Sequence, residues 1–292
     1  MNVIDGKAIA KEIQKEIKRE IAAFPFRKPG LAFILVGHNP ASETYVKMKK
    51  KGCLEVGIYS ETLELPPTIS EKELLKHIDE LNQSPLIDGI LVQLPLPSHI
   101  SSSKIFEAIH PEKDVDGFHP YNMGKLLLGE QGGFVACTPL GIVTLLEKTK
   151  IETQGKHIVI IGRSNIVGKP LAALLIQKRA HCNATVTIAH SASENLEAIC
   201  KTADILIASI GSPHFITKPM VKKGTIVIDV GINRIHDEKG GTTLVGDVAF
   251  DEVKEIASFI TPVPGGVGPM TIAMLLSNTL KSFKKRNPNS GF

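Results

Sequence analysis

The sequence lacks the features that mark several protein classes. Its four cysteines, Cys53, Cys137, Cys182 and Cys200, are scattered through 292 residues and form no CxxC pair. That spacing argues against a zinc site or a disulfide framework and predicts reduced, packed thiols in a cytoplasmic protein. No apolar run reaches the roughly 18 residues of a membrane-spanning helix, so no membrane partner is expected. The first residues carry Asp5 and Glu12 and pass at once into a helical pattern, unlike a secretory leader or transit peptide. The excess of one charge over the other is small too. Thirty-four basic residues against 30 acidic ones leave a net charge of +4. This argues against a nucleic-acid binder, and an anionic small molecule remains compatible.

What is present reads as two α/β domains. Residues 7–23 place Ala8, Ile9, Ile13, Ile17 and Ile21 at helical spacing before Pro25 and Pro29. LAFILV, 31–36, reads as a buried parallel strand, a helix follows over 42–52, and GIYSETLEL reads as a second strand. Ser70 and Glu73 form a capping box ahead of a further helix, and IDGILVQLPLP, 87–97, reads as a third strand. Alternating strands and helices predict a parallel sheet, with ligands beyond the C-terminal strand ends.

Two candidate sites fall in this half. In SETYVKMKKKG, Ser42, Tyr45 and Lys49 share one helical face, while Val46 and Cys53 turn to the core and Lys47, Lys50 and Lys51 to water. An aromatic ring and an amine on a rigid support suit stacking and proton transfer on a flat ligand, although a lysine run taken alone reads first as a solvated face. Gln93 falls at the end of its strand. In PEKDVDGFHPYN, Asp114 reads as a cap. Asp116 reads as an acceptor for ligand N–H groups or as an ordinary Asp–Gly turn.

CTPLGIVTLLEK opens a helix at Thr138, with Pro139 at its first position, leading into the second half. There KHIVIIGRSNIVGKPLAALLIQK runs from strand through a glycine turn into a helix. The turn, Gly162 to Gly168, is not GxGxxG, because Ser164 stands at the second glycine position and the closing glycine comes one residue late. A strand–turn–helix still aims N–H groups at a phosphate, and the alternative is a plain βα turn. The next strand is read as ending Ala189-His190-Ser191, without the acid that holds an NAD ribose, and Arg163 is available for a 2′-phosphate. NADP is therefore expected over NAD. ADILIASIG, 203–211, and TIVIDVGIN, 225–233, read as buried strands, and DEKGG, 237–241, as a surface hairpin tip. TPVPGGVGPMT, 261–271, combines stiffening prolines with glycines that admit a ligand closely, before an apolar helix over 270–283. KKRNPNSGF reads as a frayed basic tail.

These motifs carry a family likeness. SETYVKMKKKG, DGILVQLPLP, PEKDVDGFHPYN, CTPLG, GRSNIVGKP, DVGIN, GDV and TPVPGGVGPMT span nearly the whole chain. Together they resemble the bifunctional methylenetetrahydrofolate dehydrogenase/methenyltetrahydrofolate cyclohydrolase family, often called FolD in bacteria. The resemblance implies an N-terminal folate and catalytic α/β domain over 1–140, completed by a helix at 270–286, and a Rossmann-like NADP domain over 141–269, on two sides of a cleft. It implies Lys49 as the catalytic lysine, Tyr45 stacking on folate, Gln93 bonding the lysine and Asp116 holding the pterin. Pro264, Gly265 and Gly268 match a loop over folate. Arg163, Ser164, Ile166, Ser191 and Ile232 match NADP contacts after Gly162, with Thr271 near the cofactor. A homodimer through the Rossmann domains, tetrahydrofolate one-carbon substrates and no metal are implied as well.

Two other readings are open. In a monofunctional NADP-dependent dehydrogenase Lys49 would only position substrate, which a methenyltetrahydrofolate hydrolysis assay distinguishes. A non-catalytic NADP-binding module would show no turnover at all.

Overall fold

The computed structural model describes residues 2–25, 27–236 and 241–288. In chain order the elements are β1 (Asn2–Val3), α1 (Gly6–Ala22), β2 (Gly30–Val36), α2 (Pro40–Val56), β3 (Tyr59–Leu65), α3 (Glu71–Gln83) and β4 (Gly89–Val92). Next come α4 (Ser102–Ala108), α5 (Pro120–Leu128), α6 (Cys137–Lys148), β5 (His157–Ile161), α7 (Gly168–Leu175) and β6 (Thr185–Ala189). The chain continues through α8 (Leu196–Lys201), β7 (Ile205–Ala208), β8 (Ile226–Asp229), β9 (Asn233–His236) and β10 (Thr242–Val245). It ends with α9 (Phe250–Val253), β11 (Phe259–Ile260) and α10 (Val267–Arg286). Two compact units result: Lys11–Cys137 with Ile272–Phe292, and Met1–Ala10 with Thr138–Thr271.

In the first unit β2 is the central strand of a parallel sheet in the order β3-β2-β4. Its seven residues are all buried, as a continuously apolar run between covered faces requires. Ile34, Val36, Leu74, Ile78, Ile90 and Ile105 are among the residues of one core cluster. Asn39 starts α2 by accepting from the N–H groups of Ala41 and Ser42. The Ser70–Glu73 capping box starts α3. β4 is shorter than the sequence suggests. It ends at Val92, and Gln93 makes one more bond, its N–H to Ile34 O at 2.9 Å, before Pro95 interrupts pairing. Because β3 and β4 lie on opposite sides of β2, the sheet has its switch point beside the C-terminal end of β2.

One buried carboxylate ties this unit together. Asp88 is fully buried; it accepts from Arg27 at 2.6 and 2.7 Å, from Arg286 at 3.0 Å and from Gly30 N at 2.9 Å. The tail is therefore not frayed where the sequence suggests. α10 continues through Lys284, Lys285 and Arg286, because Arg286 has a buried partner.

The second unit holds six parallel strands in the order β1-β11-β8-β7-β5-β6. Val159, Ile161, Leu206, Ala208, Val227 and Ile260 are among its core residues. The first ten residues group with this unit, where the sequence reading assigns them to the N-terminal domain. The reason is pairing: Asn2 and Val3 lie in register with Phe259 and Ile260 of β11. β9 and β10 form an antiparallel ribbon. Residues 237–240 of its expected tip lie outside the described residues, as does the end of the tail, 289–292.

Asp88→Ala should lower stability by about 2–4 kcal/mol, since two partly exposed guanidinium groups and a buried N–H lose their acceptor. Urea unfolding would register this as a lower midpoint at constant slope. A midpoint equal to that of the unmodified protein would show the pairs to be ornamental.

Candidate active site

The phase of α2 selects one lysine from a run of four. Val46, Gly52, Cys53 and Val56 are buried, while Lys47, Lys50 and Lys51 are exposed. Lys49 shares the inward side and is only 8% exposed. Its Nζ donates to Gln93 Oε1 at 3.0 Å, and Gln93 Nε2 donates to Leu94 O at 2.9 Å. Leu94 O also accepts from Ser42 Oγ at 3.1 Å, so α2 and the end of β4 are joined twice. Tyr45 is half-buried on the same helix. Burial pushes the Lys49 amine below the ordinary lysine range, and the Asp116 carboxylate partly offsets this. Burial is the leading cause; the neighbouring lysines point to water.

Asp116 sits on a turn that runs beside β4, where Ile90 N donates to Lys113 O at 2.8 Å. Its carboxyl is pushed up by burial, with Lys49 and the Cys137 thiol working the other way. Asp114 does more than cap. It accepts from the N–H groups of Gly117 (3.1 Å), Phe118 (3.1 Å) and His119 (2.8 Å), and from Asn122 Nδ2 (2.8 Å). Four donors on one buried carboxylate set the course of the backbone that presents Asp116. Lys49 and Gln93 are thus hydrogen-bonded, an amine of lowered affinity for protons with an amide that orients it, and Asp116, a carboxyl of raised affinity, acts on the amine electrostatically.

In the second unit the turn after β5 is tight for a steric reason. A side chain at Gly162, where φ is 130°, would place Cβ 2.3 Å from Ser209 O, and one at Gly168 would lie 2.2 Å from Gly162 O. Both positions require the absence of Cβ, although the spacing is not GxGxxG. Ser164 occupies the second position with its Oγ accepting from Val167 N at 3.1 Å, which shapes the turn from within. Arg163, Ser164 and Ile166 are exposed, and Arg163 Nη1 lies 3.3 Å from His190 Nε2. β6 ends at Ala189, two residues before the end expected from sequence, so Ser191 stands on the exposed loop beyond it.

Ile232 is exposed, and a Cβ added to Gly268 would sit 3.4 Å from its Cδ1. Gly268 itself lies in the first turn of α10, not in the preceding loop; that helix starts at Val267, three residues earlier than the pattern suggests. Thr271 is helical, with its hydroxyl 3.0 Å from that of Thr138. α6 likewise starts one residue early, at Cys137. Pro264 and Gly265 occupy the loop before α10, where Gly265 O accepts from Lys7 N at 2.9 Å.

The sequence reading assigns no role to Asp229 and Asp247, which shape the same edge. Asp229 accepts from Gly231, Asp247 and Val248 N–H groups at 2.9–3.0 Å. Asp247 accepts from Ile210, Gly211 and Ser212 N–H groups at 2.6–2.9 Å and from Asn233 Nδ2 at 2.8 Å. The loops after β7, β8 and β10 are therefore pinned to two carboxylates. The available signal was an Asp within two residues of a Gly in DVG and GDV, each directly after a strand-forming stretch, TIVI and TTLV.

Known proteins match this chain along its length. Residues 4–116 match the catalytic domain of tetrahydrofolate dehydrogenase/cyclohydrolase, and residues 136–287 match its NAD(P)-binding domain. The bifunctional protein FolD of Protochlamydia amoebophila is 59% identical over 285 residues, covering 97% of this chain and 98% of that protein. The crystal structure of the bifunctional enzyme FolD from Campylobacter jejuni is 49% identical, with a TM-score of 0.91 over 98% of this chain and 99% of that one. The Trypanosoma brucei methylenetetrahydrofolate dehydrogenase-cyclohydrolase, solved with NADP and an inhibitor, is 40% identical, with a TM-score of 0.91 over 97% of both chains. With both domain models matched and more than half of the residues shared with a full-length relative, this chain belongs to the tetrahydrofolate dehydrogenase/cyclohydrolase family.

Proposed function

We infer that the chain is a bifunctional enzyme of one-carbon folate metabolism. It oxidises 5,10-methylenetetrahydrofolate with NADP and hydrolyses the resulting 5,10-methenyltetrahydrofolate to 10-formyltetrahydrofolate. The observation that carries this reading is the buried Lys49 amine, bonded to Gln93 and coupled to Asp116, at a parallel-sheet switch point. A buried amine of lowered proton affinity, held by an amide, is the arrangement a proton-transfer step needs near neutral pH.

NADP, when bound, supplies the hydride acceptor. The residues present fit it: a Cβ-free turn for close approach of a phosphate, and the exposed Arg163 with His190 and Ser191 where an NAD site would place an acid. Ile166, Ile232 and Thr271 are the further contacts in this reading. On the folate side Tyr45 stacks on the pterin and Asp116 accepts its N–H groups.

Loss of hydride from the bridging carbon of the neutral, ring-closed substrate leaves a cation on that carbon and needs alignment but no protein base. The methenyl product is a cation. Addition of water to its bridging carbon forms a C–O bond and releases a proton, and opening the ring breaks a C–N bond and delivers a proton to nitrogen. Lys49 is the group that moves these protons, and Gln93 keeps its Nζ in place.

We place the enzyme in the cytoplasm as a homodimer. Its free, buried cysteines suit a reducing compartment, and β6 leaves a sheet edge with Ile188 partly exposed for a second copy.

Lys49→Gln keeps length and polarity and removes the titrating amine. Hydrolysis of methenyltetrahydrofolate should fall about 10²–10⁴-fold, with the dehydrogenase affected less. Separate assays of the two half-reactions test this; hydrolysis that persists within about threefold removes Lys49 from the proton-transfer role. The unmodified enzyme should lose hydrolytic rate on the alkaline side at a pH below the usual lysine value of about 10.4, because the protonated amine disappears as pH rises through its depressed pKa. An alkaline limb at the ordinary lysine value would contradict the burial argument.

Arg163→Ala should weaken NADP about tenfold or more and leave NAD nearly unchanged, as expected for one lost charge-assisted contact. Equal weakening of both cofactors, read by titration, would reject the 2′-phosphate assignment. Asp116→Ala should depress both activities through folate affinity while NADP affinity stays put, and collapse of NADP binding instead would make Asp116 a structural turn residue.

A further inference from the structure

The C-terminal part of α10 meets the first unit's sheet through a polar stripe with a spacing of four. Arg286 Nη1 donates to Ile87 O at 2.6 Å and to Asp88 Oδ1 at 3.0 Å. Ser282 Oγ lies 2.6 Å from Asp88 O and 2.7 Å from Glu112 O. Asn278 Nδ2 donates to Val115 O at 2.8 Å and to Val135 O at 3.1 Å, and lies 3.7 Å from Cys137 Sγ. Residues four apart share a helix face, so the three act as successive rungs along one seam.

The rungs differ in what they hold. Arg286 and Ser282 hold groups of residues 87, 88 and 112, on the approaches to β4 and to the Asp116 turn, and neither bonds a residue assigned to chemistry. Asn278 reaches the carbonyl of the residue before Asp116 and the stretch that leads into α6. The Cys137 thiol donates to the same Val115 carbonyl at 3.3 Å. One amide therefore clasps both strands of backbone that frame Asp116. Asn278 is only 3% exposed, in a helix interior where asparagine is a poor helix former and its amide is costly to bury unpaired. A leucine would serve packing better, so the residue is accounted for by its acceptors.

We propose that Asn278 is a positioning residue that fixes the turn carrying Asp116 and, through it, folate affinity. The proposal rests on the assignment of Asp116 to folate binding. Burial lowers the proton affinity of the Lys49 amine, and Asp116 is the foremost of the groups that act the other way, ahead of Cys137 and Cys53. Releasing the Asp116 turn weakens that support.

The test compares Asn278→Leu, similar in size without a donor, with Ser282→Ala, which removes the neighbouring rung of the same seam. Asn278→Leu should raise KM for methenyltetrahydrofolate about tenfold, the loss expected from one buried hydrogen bond. It should also move the alkaline limb of hydrolysis to lower pH, with NADP affinity unchanged. Ser282→Ala should lower Tm and leave KM and the limb as in the unmodified enzyme. If both variants lower Tm alone, Asn278 is a packing residue and the proposal fails. Should the leucine variant not fold, Asn278→Ser, which keeps a single shorter donor, carries the same comparison. NMR titration of lysines labelled at Cε, with Lys49 assigned from Lys49→Gln, reads the shift without turnover. An unmodified protein inactive on folates would thus overturn the proposed reaction, while the titration still decides the role of Asn278.

Discussion

Burying the amine of Lys49 is the constraint around which the first unit is arranged. An isolated ammonium in an apolar interior is so unfavourable that the group gives up its proton or acquires partners. Here it does some of both. Gln93 supplies an oxygen at 3.0 Å, Asp116 supplies charge, and the amine still titrates below its usual range. Each partner arrives from a different part of the chain, so α2, the end of β4 and the turn at 114–117 must all be in place together. The double attachment at Leu94 O and the carboxylate of Asp114 meet that requirement.

Carboxylates organise backbone throughout this protein. Asp88, Asp114, Asp229 and Asp247 each gather between three and four donors, and each is at most 3% exposed. A loop at the C-terminal edge of a parallel sheet has N–H groups with no neighbouring strand to accept from them. An ionised side chain that accepts several at once holds such a loop more firmly than single neutral bonds would. The cost is desolvation: burial pushes Asp114 up to about 7 and Asp229 up to about 6 despite their donors. The edges that carry the proposed ligand contacts are therefore stiff because of residues that touch no ligand in this reading.

The local elements were legible where periodicity or capping chemistry is strong. The α2 face with Lys49 inward, the Ser70–Glu73 box, the buried β2 run and the strand–turn–helix at Gly162 all follow from side-chain spacing and turn stereochemistry. Strand ends were less so. IDGILVQLPLP reads as one long strand, yet the ladder covers only Gly89–Val92, because Pro95 has no N–H to continue it although the neighbouring strand runs on to Val36. The tail misled as well. A lysine- and arginine-rich end looks solvated until a fully buried Asp88, nearly two hundred residues earlier, claims Arg286.

By itself the sequence determined the alternation of strands and helices, the candidate lysine, the atypical phosphate turn and, through its long motifs, the family. Each of these is encoded in neighbours a few residues apart. Only the tertiary structure decided that β1 joins the six-stranded sheet, that Asp114 anchors the turn carrying Asp116, and that Asn278 clasps that turn. Those outcomes depend on strand order, on burial and on contacts across more than a hundred residues. A side chain's proton affinity is set by what surrounds it in space, and that environment exists only after the chain has folded.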